Sequence, residues 1–177
     1  AISNDKSITD DSARATVTVG GVEKTLLVGQ EIKLDGKKIR ILGFNHDTLS
    51  EPNTAYGSKT ATEKAGISFE YVDFLTSTGM NSSDTNSGGW AQTELRGILN
   101  GTTYNSLSIK NIIKKVKKDY IPTYNVAKTQ QTDDYLWLLS CGEIWDNGYN
   151  NGVTRGYAIA TEGKQYKYYK INLGSTN

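Results

Sequence analysis

Ser108-Ile109-Lys110-Asn111-Ile112-Ile113-Lys114-Lys115-Val116-Lys117-Lys118-Asp119-Tyr120 is the stretch on which the fold turns. Its residues Ile109, Ile112, Ile113 and Val116 fall at i, i+3, i+4 and i+7, the spacing of one apolar helix face. Ser106 and Ser108 offer capping oxygens in front of it, and Pro122 stands beyond its end. The period predicts an amphipathic helix over 109–116. Lys110, Lys114, Lys115, Lys117 and Lys118 then form a solvated basic face, and no aromatic side chains are interleaved among them to stack on bases. Upstream, Ala91, Leu95, Ile98 and Leu99 fall at i, i+4, i+7 and i+8 and predict a shorter helix from Trp90, with Asn100-Gly101 as its stop. An aspartate at Leu95 or at Ile112 is therefore expected to destabilise strongly, since each buries a carboxylate on an apolar face.

On either side of these helices the period changes to two. Ala15, Val17 and Val19 alternate with threonines, Gly20-Gly21 intervenes, and Val22 to Val28 resumes, which reads as a β-hairpin. Ile32 and Leu34 lead into Asp35-Gly36, a two-residue turn, and Ile39 and Ile41 lead away. Asn45 to Gly66 reads as a long surface loop closing on a strand over Ile67 to Leu75, and the Ser, Thr, Asn, Asp and Gly of Ser77 to Gly89 cannot bury themselves. Tyr135 to Leu139 reads as a buried strand, Cys141 to Asp146 as the start of a helix, and Tyr157 to Ala160 and Tyr166 to Leu173 as strands. The expectation is one α+β domain over 15–177 behind a polar stem, 1–14: N-terminal antiparallel β-hairpins, two short amphipathic helices and a small twisted antiparallel sheet.

Composition narrows function more by exclusion than by assignment. At 177 residues the chain is about one domain long. Twenty basic against nineteen acidic residues leave a net charge of +1, too little to draw the chain to nucleic acid or an anionic membrane. The run Leu136–Leu139 is far short of the roughly 18 residues of a membrane span, so the chain as given is expected to be soluble, with no membrane contact. The single cysteine, Cys141, excludes an internal disulfide and reads as a small hydrophobe. Any histidine-dependent catalytic set must use His46, the one histidine; the cluster Asn45-His46-Asp47 reads instead as shaping its loop through local side-chain to backbone bonds. Asp84 to Gly89 starts like a calcium loop, but Leu95 stands at position twelve where a bidentate carboxylate is required. No metal site, cofactor or catalytic residue is expected. Eleven of the seventeen aromatics are tyrosine, a composition common on binding surfaces.

Gly88-Gly89-Trp90-Ala91-Gln92-Thr93-Glu94-Leu95-Arg96-Gly97-Ile98-Leu99-Asn100-Gly101, then Leu136-Trp137-Leu138-Leu139-Ser140 with Glu143-Ile144-Trp145, resembles the DUF6273 domain of bacterial (Firmicutes) surface proteins. Leu42 to Asp47 and Gly66 to Phe69 fit the same family, so the resemblance runs over about residues 30–160. Leu138 to Trp145 is also similar, more loosely, to a motif of formylglycine-generating-enzyme-like and C-type-lectin-like domains. The resemblance implies a modular extracellular, cell-surface protein with no enzymatic role, and a structural motif made of Trp90, Glu94, Arg96, Asn100, Trp137, Glu143 and Trp145. Within it Trp90 anchors the first helix, Glu94 sits at its positively polarised end, and Arg96 bonds a carbonyl or carboxylate across the domain.

The functional expectation is a secreted or surface-displayed structural and adhesive module, such as a pilin-like filament subunit, whose partners are other surface-protein domains or copies of itself. The alternative is a lectin-like module that contacts glycans through Tyr149, Tyr157, Tyr166 and Tyr168. The family's closing strands are missing before Asn177, and an extended Tyr166–Leu173 leaves a sheet edge open. The natural polypeptide is accordingly expected to continue past Asn177 or to borrow a strand from another chain, with Ala1 marking the processing of a leader.

Overall fold

The computed structural model describes residues 2–53, 62–122, 129–145 and 162–173. They form a mixed, α+β arrangement of small antiparallel sheets and short helices. Strands β1 (Arg14–Val19) and β2 (Val22–Leu27) make the first hairpin, and β3 (Glu31–Leu34) and β4 (Lys37–Phe44) the second. Asp35 and Gly36 take positive φ angles of 54° and 73°, which is the geometry that a two-residue turn between right-twisted strands demands. β7 (Ile67–Tyr71) pairs on the other edge of β4.

The chain departs from expectation at several points between residues 45 and 134. The segment 45–66 is not simply a loop, because it contains β5 (Thr48–Asn53) and β6 (Thr62–Lys64). The helix expected over 109–116 does not form. Residues 109–115 run through turns into β8 (Val116–Tyr120), which pairs with β5 and with β9 (Gln130–Asp134), giving the sheet order β6-β5-β8-β9. β-branched isoleucines gain little in a helix, whereas the alternation from Val116 onward suits a strand. Val116, Lys118 and Tyr120 point inward, and Lys117 points out. Ile112, expected to be buried, is 62% exposed, and Lys118, expected on a solvated face, is buried.

The first helix does form, but it does not stop at Asn100-Gly101. Trp90–Gln92 makes a 3₁₀ turn, and α1 (Glu94–Ile98) follows behind Thr93, whose Oγ1 accepts the Arg96 amide at 3.2 Å. The chain then coils on through a π-turn, Leu99–Thr103, into α2 (Tyr104–Ser106). Asn100 Nδ2 donates back to the Arg96 carbonyl of α1 at 3.2 Å, and the side chain is also committed across the fold. Its Oδ1 accepts the Tyr135 and Leu136 amides at 2.6 and 3.3 Å, and its Nδ2 donates to the Leu136 carbonyl at 2.9 Å. That contact also explains why Tyr135–Leu139 is not the strand expected: one asparagine supplies the bonds that a neighbouring strand otherwise gives.

Late in the chain, α3 (Cys141–Trp145) begins where expected, whereas Tyr166–Leu173 is not extended but carries α4 (Lys167–Leu173). The spacing of its partners is helical: Tyr166 and Tyr169 both reach inward to carboxylates, and Lys167 and Lys170 share Asp11 at 2.9 and 3.1 Å. The open-edge argument drawn from an extended Tyr166–Leu173 therefore falls. The strand expected over Tyr157–Ala160 lies outside the described residues. Residues 2–14 are not a free stem, since Ile2 and Ile8 are buried with Ala15, Ile41 and Phe44 in one core cluster. A second cluster gathers Leu95, Leu99, Leu107 and Leu136 around the first helix.

Leu95→Ala is expected to lower unfolding stability by about 2–5 kcal/mol, the usual cost of a cavity in a packed core. Ile112→Asp, on an exposed turn, is expected to stay within about 0.5 kcal/mol of the parent. Paired denaturant titrations check both.

Candidate functional site

The alternation of β8 carries a lysine to a position a hydrophobe ordinarily fills. Lys118 stands between inward-facing Val116 and Tyr120, and its ammonium group is buried. Asp47 arrives from the residue before β5, Glu143 from α3 and Tyr166 from the residue before α4. Lys118 Nζ donates to Asp47 Oδ1 at 2.8 Å, to Glu143 Oε1, and to the Tyr166 hydroxyl at 3.2 Å. The Tyr166 hydroxyl in turn donates to the Asp47 carboxylate, 2.8 Å from Oδ2 and 3.0 Å from Oδ1, and Ser68 Oγ donates to Oδ2. The Trp137 ring lies 4.3 Å from Nζ, offering its negative face to the cation.

Glu143 does two jobs. Its Oε2 accepts the Ser140 amide at 3.0 Å while Ser140 Oγ accepts the Glu143 amide at 3.2 Å, which is a reciprocal cap on α3 and leaves Oε1 for Lys118. Gly163, at φ 100°, passes so close that a Cβ there would sit 2.8 Å from Glu143 Cγ, so only glycine lets the chain cross at this point.

Two carboxylates thus share one ammonium in a dry setting, and they respond differently. Burial pushes Asp47 up, but the Lys118 charge and the hydrogen bonds from Lys118 and Ser68 pull it down further, so its net shift is downward. Burial pushes Glu143 up, and Lys118 offsets this only in part, so Glu143 is the readier of the two to take a proton. For Lys118, burial favours the neutral amine, yet the two carboxylates outweigh it and raise the net value. Burial, followed by the negative charges of Asp47 and Glu143, holds the Tyr166 phenol well above its ordinary range.

His46 stacks on Tyr166 with ring centroids 4.0 Å apart, and its Nδ1 is buried with no hydrogen-bond partner among the described residues. Asn45 and Asp47 also depart from the local role expected of them. Asn45 Nδ2 donates to the carbonyls of Ile2 and Ile8 at 3.1 and 2.8 Å, and Asp47 bonds residues from three distant elements.

The motif residues divide between this cluster and a second polar knot. Asp134, fully buried at the end of β9, accepts from Trp90 Nε1 at 2.8 Å, Arg96 Nε at 2.8 Å and Thr132 Oγ1 at 2.6 Å. Arg96 thus bonds a carboxylate across the domain, and Trp90 ties the start of the helix to the same carboxylate. Glu94 stands at the first position of α1 and accepts from the Ser82 amide and hydroxyl. Trp145 is half-buried. Of the four tyrosines considered for ligand contact, Tyr166 is corrected: it is 0% exposed and touches no surface. Tyr168 is half-buried with the Arg40 guanidinium 5.0 Å over its ring, and Tyr149 and Tyr157 lie outside the described residues. Asp47, Lys118 and Asp134 were missed. The signal for Glu143's partner was present in Ser140-Cys141-Gly142-Glu143, a capping-box spacing.

Among the described residues no group of three or more His, Cys, Asp or Glu is arranged to hold a metal ion, and no helix is long and apolar enough to cross a membrane. The family described as a domain of unknown function, DUF6273, matches residues 58–176, later at both ends than the 30–160 expected. No curated protein and no solved structure matches the chain.

Burial holds His46 below its ordinary value of 6.5; the nearby Asp47 and Asp10 oppose this, and Lys118 and Lys164 add to it. The unfolded chain binds that proton at higher pH than the folded one, so the stability at stake is present above about pH 6.5 and is lost as pH falls below it. His46→Phe keeps a ring on Tyr166 and removes the titration. Denaturation midpoints at about pH 7.5 and about pH 5.5 are expected to fall further apart in the parent than in the variant.

Proposed function

The chain belongs to the DUF6273 family, and on that footing we propose that it is a non-enzymatic bacterial cell-surface or secreted module that binds other surface-protein domains or copies of itself. The observation that carries this reading is the closure of its most reactive-looking cluster. Lys118, Asp47, Glu143 and Tyr166 hold the residue types of an acid–base site, yet each is buried and each is spent on the others. A catalytic group has to reach substrate, and these reach one another and the neighbours Ser68, Ser140, Trp137 and His46. What the fold offers outward is different. Phe74 is 94% exposed with Val72 and Met80 also exposed nearby in sequence, and Val19, Val22 and Leu27 stand out on the first hairpin. Exposed apolar side chains of this kind suit contact with another protein.

The alternative is a lectin-like carbohydrate-binding module. It is favoured by the tyrosine content and by Tyr168 and Tyr169 meeting edge to face near the surface, 5.0 Å between centroids. The polar hollow of about 330 Å³ lined by Ser3, Asp10, Asn45 and Lys64 among others has no aromatic floor for a sugar ring.

Binding assays on the purified chain, against immobilised copies of itself and against a glycan array, separate the readings. Saturable self-association that Phe74→Ser weakens, with no glycan binding, is expected. Reproducible, saturable glycan binding supports the alternative, and substrate turnover that His46→Phe abolishes contradicts both.

A further inference from the structure

The cluster's chemistry goes beyond an ion pair, whatever the domain binds. Leu49 of β5 lies opposite Val116 of β8 in an antiparallel register, and continuing that register by two residues on each strand sets Asp47 across from Lys118. The amine and the carboxyl are thus neighbours on adjacent strands, with Nζ 2.8 Å from Oδ1 and both side chains buried. This hydrogen bond holds Nζ beside the carboxyl group through the fold and not through a collision, and such fixed proximity raises rates by many orders of magnitude. Glu143 touches the amine, while Tyr166 and Ser68 both donate to Asp47 Oδ2. Ser68 and Tyr166 are therefore placed where charge builds up on that oxygen when the carboxyl carbon is attacked.

From this juxtaposition we infer that Lys118 and Asp47 condense into an intramolecular amide, with Glu143 as the proton carrier. The pair starts as ammonium plus carboxylate, and Glu143 takes a proton from the ammonium to free the amine for attack. Nζ attacks Cγ of Asp47, a new N–C bond forms, and the Cγ–Oδ1 bond breaks. Of the three protons on the ammonium one stays on the amide nitrogen and two leave with Oδ1 as water, so no oxidant, cofactor or activated donor is needed. Glu143 takes the protons from Nζ, and the Tyr166 hydroxyl, which touches both Nζ and the Asp47 oxygens, hands them to Oδ1. The raised position of Glu143, set by burial, suits it to that task. The product amide keeps Oδ2 under Ser68 and Tyr166 and leaves its N–H facing Glu143. Two buried charges vanish, and residues 47–118 become a covalent ring that ties β5 to β8.

The test is intact-mass measurement of the purified full chain under denaturing conditions, followed by peptide mapping. The expected mass is one water below that of the sequence, with the peptide carrying Asp47 linked to the one carrying Lys118. Glu143→Gln and Lys118→Arg, each checked by circular dichroism to be folded, are expected at full mass. Three results overturn the inference: a cooperatively folded parent at full sequence mass, a lost water that maps to a succinimide at Asp35-Gly36, or a linked peptide that persists unchanged in Glu143→Gln.

Discussion

A buried ammonium group cannot be left alone, and the chain has to fold around that constraint before Lys118 and Asp47 can be joined. Moving a charge from water into an apolar interior costs several kcal/mol even after relaxation, roughly the whole margin by which a small domain is stable. Lys118 is offset only where Asp47, Glu143 and Tyr166 arrive together. Those three come from the thresholds of β5 and α4 and from α3, so satisfying one side chain requires distant parts of the chain to dock on β8. The N-terminal segment joins through the same neighbourhood: Asn45 holds the Ile2 and Ile8 carbonyls, and Asp10 and Asp11 pair with Lys164 and with Lys167 and Lys170.

Asp134 repeats the device on the other inward edge of the sheet. Its neighbour strand β8 buries a cation, whereas β9 buries an anion, and Trp90 and Arg96 cross from the first helix to meet it. The Trp90-to-Arg96 spacing brings both side chains to one buried carboxylate. Directional bonds of this kind fix position more tightly than apolar contact does, which suits a fold whose apolar clusters are small.

This polar interior also explains which parts were legible in the sequence. The two N-terminal hairpins were, because Gly20-Gly21 and Asp35-Gly36 announce their turns locally and the flanking strands alternate in the ordinary way. The first helix and α3 were as well. β8 was not, since its central inward residue is Lys118 and the neighbouring isoleucines imitate a helix face; a buried lysine removes the very alternation by which a strand is recognised. β9 reads Gln130-Gln131-Thr132-Asp133-Asp134 and buries Thr132 and Asp134, so hydrophobicity is silent there too. Of the site, Glu143 was named from the family resemblance, whereas its partners lie 25 and 96 residues away in Lys118 and Asp47, a tertiary fact that no local spacing carries.

The most direct test of this account is the equilibrium unfolding of Lys118→Met, which keeps the volume of the side chain and removes its charge. Asp47 and Glu143 are then left facing each other in the interior, and a loss of about 3–5 kcal/mol is expected, with α3 and α4 losing hydrogen-exchange protection together. A variant as stable as the parent, with both helices still protected, would contradict the claim that the fold is organised around this one buried charge.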